Sequence, residues 1–179
     1  MVVAPPEWEE PVILLAEELS AGKVSAVVTG GATRVASVRA GVAEVPEEAA
    51  VVLVHDAARP LLPEPVIERV VAALGEEWQG AVAALPVADT LKRARDSAVV
   101  ETVDRSGLHA AQTPQAFFAD ELRRALAVER QASDCAGLVE AGGGRVRLVR
   151  GDPRLLKVTT RADLAFVETL LVAEREPGR

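Results

Sequence analysis

Four uninterrupted apolar positions, Val51 to Val54, run directly into His55, Asp56, Ala57, Ala58, Arg59 and Pro60. The whole run 49–55 has the pattern of a strand covered on both faces. GAVAALPV at 80–87 repeats it, and the shorter runs VSAVVT at 24–29, closed by Gly30-Gly31, and RVRLVRG at 145–151 read as further strands. Val2 to Ala4, stopped by Pro5 and Pro6, reads as the end of another. Between these runs the apolar positions take helical spacing, predicting helices over 11–20, 34–45, 63–74, 119–130, 134–142 and 160–174. Gly22 follows the first of these, a proline stands near the start of 63–74, and Thr160 and Asp163 have capping-box spacing. Parallel strands need crossover helices, so the alternation predicts an α/β fold with a doubly wound, mostly parallel sheet. With no internal repeat or low-complexity linker, residues 1–179 read as a single domain. The segment 89–117 breaks the rhythm with short charged and short β-type pieces, and is expected to leave the core as a protruding arm at about 88–110.

Open α/β sheets present ligands beyond the C-terminal ends of their strands, which singles out Asp56 and Arg59. A carboxylate there can hold Mg²⁺ between phosphates or simply cap a turn. Arg59 can meet phosphate or pair with an acidic neighbour, and spacing alone favours the pair. His55 can act as a base, although a hydrogen-bonded structural histidine is commoner. Gly30 and Gly31 make a turn whose amides can cradle an anionic or polar ligand, with Ser37 on the helix that follows. Asp89-Thr90, Lys92, Arg93, Arg95, Arg105 and Thr113 belong to the excursion, which either reaches a phosphate or is a solvated hairpin; from the residues alone the hairpin carries more weight. Lys157, preceded by two leucines, can snorkel from the core edge towards an anion. Cys135 beside Asp134 starts a helix, but no histidine neighbour points to a nucleophile.

Composition narrows the classes. Valine, alanine and leucine supply most apolar residues against two Trp, three Phe and no Tyr, which suits tightly packed α/β layers. A net charge of −7 argues against a protein that holds nucleic acid by its phosphates. The single cysteine excludes an intramolecular disulfide and a Cys-based zinc site. No apolar run approaches the roughly 20 residues that span a bilayer, and MVVAPPEWEE lacks the basic start of a signal peptide. The expectation is a cytoplasmic protein with no membrane partner.

VLVHDAARP, PVADTLK, ETVDRSGLHAAQTPQAF, ASDCAGLVEAGG and GDPRLLKVTTRADL occur in the order seen in the 2-C-methyl-D-erythritol 4-phosphate cytidylyltransferase family, which the chain closely resembles over about 24–171. GGATRVASVRAG at 30–41 is similar to that family's second glycine segment. The resemblance implies a Rossmann-like nucleotidyltransferase that transfers CMP from CTP to methylerythritol phosphate, releases pyrophosphate and feeds isoprenoid synthesis, with Mg²⁺ as cofactor. It implies a homodimer joined through the arm. By that similarity Asp56, Lys157 and Arg105 form the catalytic set, and Asp56 is the carboxylate near the metal. Gly31, Ser37, Asp56 and the Ala57 backbone bind the nucleotide. Thr113 and Lys157 hold the sugar phosphate, joined by Thr90 and Arg105 reaching from the neighbouring subunit.

The chain departs from the family pattern at Cys135, where a second acidic residue is usual, at Gly137, often serine, and at Leu155-Leu156, often Asn-Ile. It also shows none of the first strand, glycine-rich loop and Pro-Lys with which family members begin. These are expected to be missing, leaving an exposed sheet edge and a poorly active chain. Two other readings stay open: the sister activity on ribitol 5-phosphate, and a non-catalytic remnant that only dimerises or binds a partner.

Overall fold

A computed structural model describes residues 1–128 and 132–175. β1 (Val2–Ala4), a short 3₁₀ turn at Pro6–Trp8 and α1 (Glu9–Glu18) come first, and β2 (Val27–Thr29) pairs parallel with β1. α2 (Arg34–Ala43) leads into β3 (Val51–Val54), and α3 (Glu64–Ala72) into β4 (Gly80–Pro86). A hairpin of β5 (Leu91–Arg95) and β6 (Ala98–Val103) intervenes before β7 (His109–Phe118). α4 (Ala119–Ala127), α5 (Cys135–Ala141), β8 (Val146–Arg150) and α6 (Arg161–Arg175) complete the order. Residues 129 and 130 of the helix expected over 119–130 lie outside the described residues.

The main sheet has the order β3-β7-β4-β8. β3 and β4 both run antiparallel to β7, and β8 runs parallel to β4, so β3, β4 and β8 share one direction. Period-two alternation sends β4 side chains to opposite faces. Val82 joins Val52, Phe117 and residues of α2, α4 and α5 in one apolar cluster. Ala81 and Ala83 join Ala116, Leu155 and α3's Val66 and Val70 in the other. Helices therefore cover both faces, as the alternating pattern predicts. Leu53 of β3 and Val3 of β1 are each 37% exposed, so both strands show apolar side chains to solvent.

One expectation needs correction. The excursion is confined to the hairpin and its base, whereas 109–118 is a central strand paired on both sides. Pro114, which has no N–H, and the polar Gln112, Thr113 and Gln115 hide it from an apolar-pattern reading. The β4–β7 register shifts between Val82 and Ala84, opposite 112–114, and such an irregularity accommodates a proline within a sheet. The buried polar side chains of β7 are bonded. Gln112 exchanges hydrogen bonds with the Asp152 backbone at 2.9 and 3.1 Å. Gln115 Oε1 accepts from the Cys135 and Ala136 amides, both at 3.2 Å, and its Nε2 donates to Asp134 at 2.8 Å. Unpaired, such groups cost about 1–3 kcal/mol each.

Candidate active site

β3 ends in a turn closed by the Arg59 amide donating to the Asp56 carbonyl at 2.9 Å. The turn sets the two side chains together, Arg59 Nε 3.8 Å from Asp56 Oδ2. From the loop after β8, Lys157 brings Nζ to 3.2 Å from the same oxygen. From the start of α2, Arg34 brings a guanidinium nitrogen to 3.6 Å from Oδ1. One carboxylate, 19% exposed, thus faces three cations. The surplus positive charge suits a visiting anion with several oxygens, phosphate above all.

Each cation is held differently. Arg59 donates to the carbonyls of Leu155 and Ala111, tying the turn to the Lys157 loop and to β7. Burial pulls its pKa below the usual guanidinium value while Asp56 opposes the shift. The Lys157 loop is pinned on either side: Leu155 is wholly buried, and the Val158 amide donates to the Ala58 carbonyl at 2.8 Å. Lys157 itself is about half exposed. Burial also pulls Arg34 down, but Cys135, Asp56 and Asp134 together outweigh it and raise its pKa.

His55 is structural here. Its Nε2 faces the Arg59 carbonyl at 2.9 Å, and a carbonyl only accepts, so Nε2 carries the hydrogen. In the neutral ring Nδ1 then accepts from the Thr113 hydroxyl at 3.1 Å, and Thr113 Oγ1 accepts the Asp56 amide at 3.0 Å. Thr113 therefore touches Asp56 through the backbone, from β7.

Gly31 and Ser37 meet at the start of α2. Ser37 Oγ accepts from the Gly31 amide at 3.1 Å and donates to its carbonyl at 3.2 Å. A Cβ on Gly31 would lie 2.4 Å from Ala36 Cβ, so only glycine lets the loop fold this tightly onto the helix. Ala57 is exposed at the crown of the Asp56 turn.

The arm pair lies at the foot of the hairpin. Thr90 is exposed just before β5, and Arg105 bonds the Val87 and Ala88 carbonyls at the hairpin's base. Among the described residues no hydrogen bond or ion pair joins either to Asp56 or Lys157. Lys92 and Arg93 are taken up within the hairpin by Thr102 and Glu101. A surface hollow of about 630 Å³ beside α1 and β2 shares no residue with the cluster, which is marked by its converging charge.

Asp56 is the one carboxylate in this cluster, and the described residues contain no group of three His, Cys, Asp or Glu placed to cage a metal. This donor set fits Mg²⁺ held chiefly by nucleotide phosphates with a single protein carboxylate. It does not fit a metal bound ahead of the nucleotide, since three cations face that carboxylate.

Arg34 and Gln115 escape a reading of the sequence, because their partners lie far along the chain. The Gly-Gly turn two residues before Thr33 and the polar Gln115 inside an apolar stretch are their only local signals.

The family model described as 2-C-methyl-D-erythritol 4-phosphate cytidylyltransferase matches residues 2–173. The protein of that name from Nocardia farcinica is 48% identical over 172 residues, which is 96% of this chain and 73% of the relative. Its counterpart from Saccharopolyspora erythraea is 48% identical over 96% of this chain and 78% of its own length. A crystal structure of 4-diphosphocytidyl-2C-methyl-D-erythritol synthase superimposes with a TM-score of 0.80 at 42% identity, covering 95% of this chain and 80% of the other. The cytidylyltransferase of Thermus thermophilus gives 0.76 at 39% identity, over 82% and 73%.

Proposed function

The chain belongs to the 2-C-methyl-D-erythritol 4-phosphate cytidylyltransferase family, and from that premise we propose that it transfers CMP from CTP to 2-C-methyl-D-erythritol 4-phosphate, with release of pyrophosphate, on the route to isoprenoid precursors. The observation that carries the reading on this chain is the convergence of Lys157, Arg59 and Arg34 on Asp56. An oxygen of the acceptor's phosphate forms a bond to the α-phosphorus of CTP. The bond from that phosphorus to the bridging oxygen breaks, and its electron pair leaves with pyrophosphate. Both partners are polyanions, so holding them in line and offsetting their charge is most of the task.

Lys157 is the half-exposed cation that meets the phosphates, while Arg59 keeps its loop in place. Asp56 is the protein's ligand for Mg²⁺, which when bound offsets phosphate charge. Gly31, Ser37 and the Ala57 amide take the cytidine side, and Thr113 supports the acceptor side. Thr90 and Arg105 serve the site of a second copy, through a homodimer formed by the arm. The bonding of Arg105 to the Val87 and Ala88 carbonyls and the exposed Val99 and Val100 on β6 support that assignment. We also place the protein in the cytoplasm; no helix among the described residues is long and apolar enough to cross a membrane.

Pyrophosphate release from CTP, measured with methylerythritol phosphate and with ribitol 5-phosphate as acceptor, tests the reading. Faster release with methylerythritol phosphate is expected. A preference for ribitol 5-phosphate would move the chain to the sister activity, and release with neither would leave only a binding or dimerising role.

A further inference from the structure

We infer that Arg34 is a positioning residue that fixes the orientation of the Asp56 carboxylate. Lys157 and Arg59 both approach Oδ2, while Arg34 approaches Oδ1. A carboxylate drawn by cations at one oxygen alone is free to turn its other oxygen about χ2. A guanidinium at the second oxygen fixes the plane of the group.

Arg34 suits this task because both of its ends are anchored. Its backbone opens α2, whose first turn is capped by Thr33 Oγ1 accepting the Ala36 amide at 3.1 Å. Its other terminal nitrogen donates to Cys135 Sγ at 3.5 Å. Cys135 is wholly buried, and its amide is fixed by Gln115. Burial raises the thiol's pKa, so the sulfur accepts this hydrogen bond as a thiol. α2 also carries Ser37, which ties down the Gly31 loop, so one helix start joins the glycine turn to the carboxylate. The inference rests on the reading of Asp56 as a group that meets the substrates.

The test is a double-mutant cycle in the full chain. Pyrophosphate release and melting temperature are measured for wild type, Arg34→Met, Arg34→Lys, Asp56→Asn and the Arg34→Met/Asp56→Asn pair. Arg34→Met is expected to lower kcat by about 10–100-fold, the usual range for a residue that orients a working ligand, with KM for CTP little changed. Arg34→Lys, which keeps a charge but not the fork, restores part of the rate. In the Asp56→Asn background Arg34→Met costs nothing further. If Arg34→Met does not fold, Arg34→Lys is run through the same two backgrounds. A wild-type kcat in the Arg34 variant overturns the inference alone. Equal losses in both backgrounds also overturn it, because Arg34 then acts on substrate directly. An inactive wild-type chain, or Asp56→Asn at the wild-type rate, overturns the reading of Asp56 and the inference together.

Discussion

Lys157 Nζ lies 3.2 Å from Asp56 Oδ2, joining the loop after β8 to the turn after β3. Both loops sit at the C-terminal ends of strands that share one direction, the edge at which open α/β sheets carry their ligands. Leu155 in the core and the Val158 amide on the Ala58 carbonyl hold the approach from two sides. The pair is thus fixed by the backbone, while the lysine head, about half exposed, is open to solvent.

Thr113 is 4% exposed and bridges the Asp56 amide to His55. Thr113→Val keeps the shape and leaves that amide without its partner, so it should cost about 1–3 kcal/mol in urea denaturation and lower turnover as the turn loosens. Thr113→Ser, which keeps the hydroxyl, should recover most of both. A valine variant as stable and as fast as wild type would contradict this role.

Asp56 could be read from the sequence because an apolar run announces a buried strand, and the residues just past such a strand in an α/β sheet are functional ground. The two leucines before Lys157 marked it as able to reach an anion from the core edge, but its place beside Asp56 was not legible, since nothing local says that a loop after β8 folds back onto the turn after β3. Arg34 had only the Gly-Gly turn before it as a sign, because its partners Asp56 and Cys135 come from other elements. β7 was obscured by Pro114 and three polar residues whose bonding partners, Asp152, Asp134, Cys135, Ala136 and Asp56, are tertiary neighbours. Apolar pattern reports burial against the core; it carries no trace of a polar side chain satisfied by a distant backbone group.

The tight loop at Gly31 yields a paired prediction. Gly31→Ala brings its Cβ against Ala36 Cβ at 2.4 Å and should weaken CTP binding, read as a higher KM. Adding Ala36→Gly removes the tightest contact, leaving backbone approaches of 3.2 and 3.3 Å, at the expense of about 1 kcal/mol of helix propensity. The double variant should therefore bind CTP better than Gly31→Ala alone while melting lower than wild type. No difference between the single and double variants would show that this contact does not shape the loop.

At α6, Asp163 accepts from the Thr159 amide and hydroxyl and from the Thr160 amide, and the Asp163 amide donates to Thr160 Oγ1. These bonds lower the Asp163 pKa from 3.8 to about 2. A depressed carboxylate pKa contributes stability that is present above the ordinary value and lost as pH falls through the folded one. Helical signal should therefore decline with an Asp163-dependent component between about pH 4 and pH 2. Asp163→Asn should remove that component from a circular-dichroism acid titration; identical curves would refute the assignment.

Val100 on β6 is 56% exposed beside Val99 at 62%. If the arm joins two copies, Val100→Glu should shift sedimentation equilibrium from dimer to monomer and leave the fold intact. A dimer of unchanged affinity would place the contact elsewhere.

Turnover of Lys157→Met at saturating CTP and methylerythritol phosphate, measured beside its melting temperature, tests the central claim most directly. Lys157 is half exposed and is one of three cations around one carboxylate, so its loss relieves repulsion. The variant should melt at or above the wild-type temperature while turnover falls by about 10²–10³, the loss typical of a preorganised charge contact. Turnover equal to wild type would show that the cations gathered at Asp56 are not where the phosphates react.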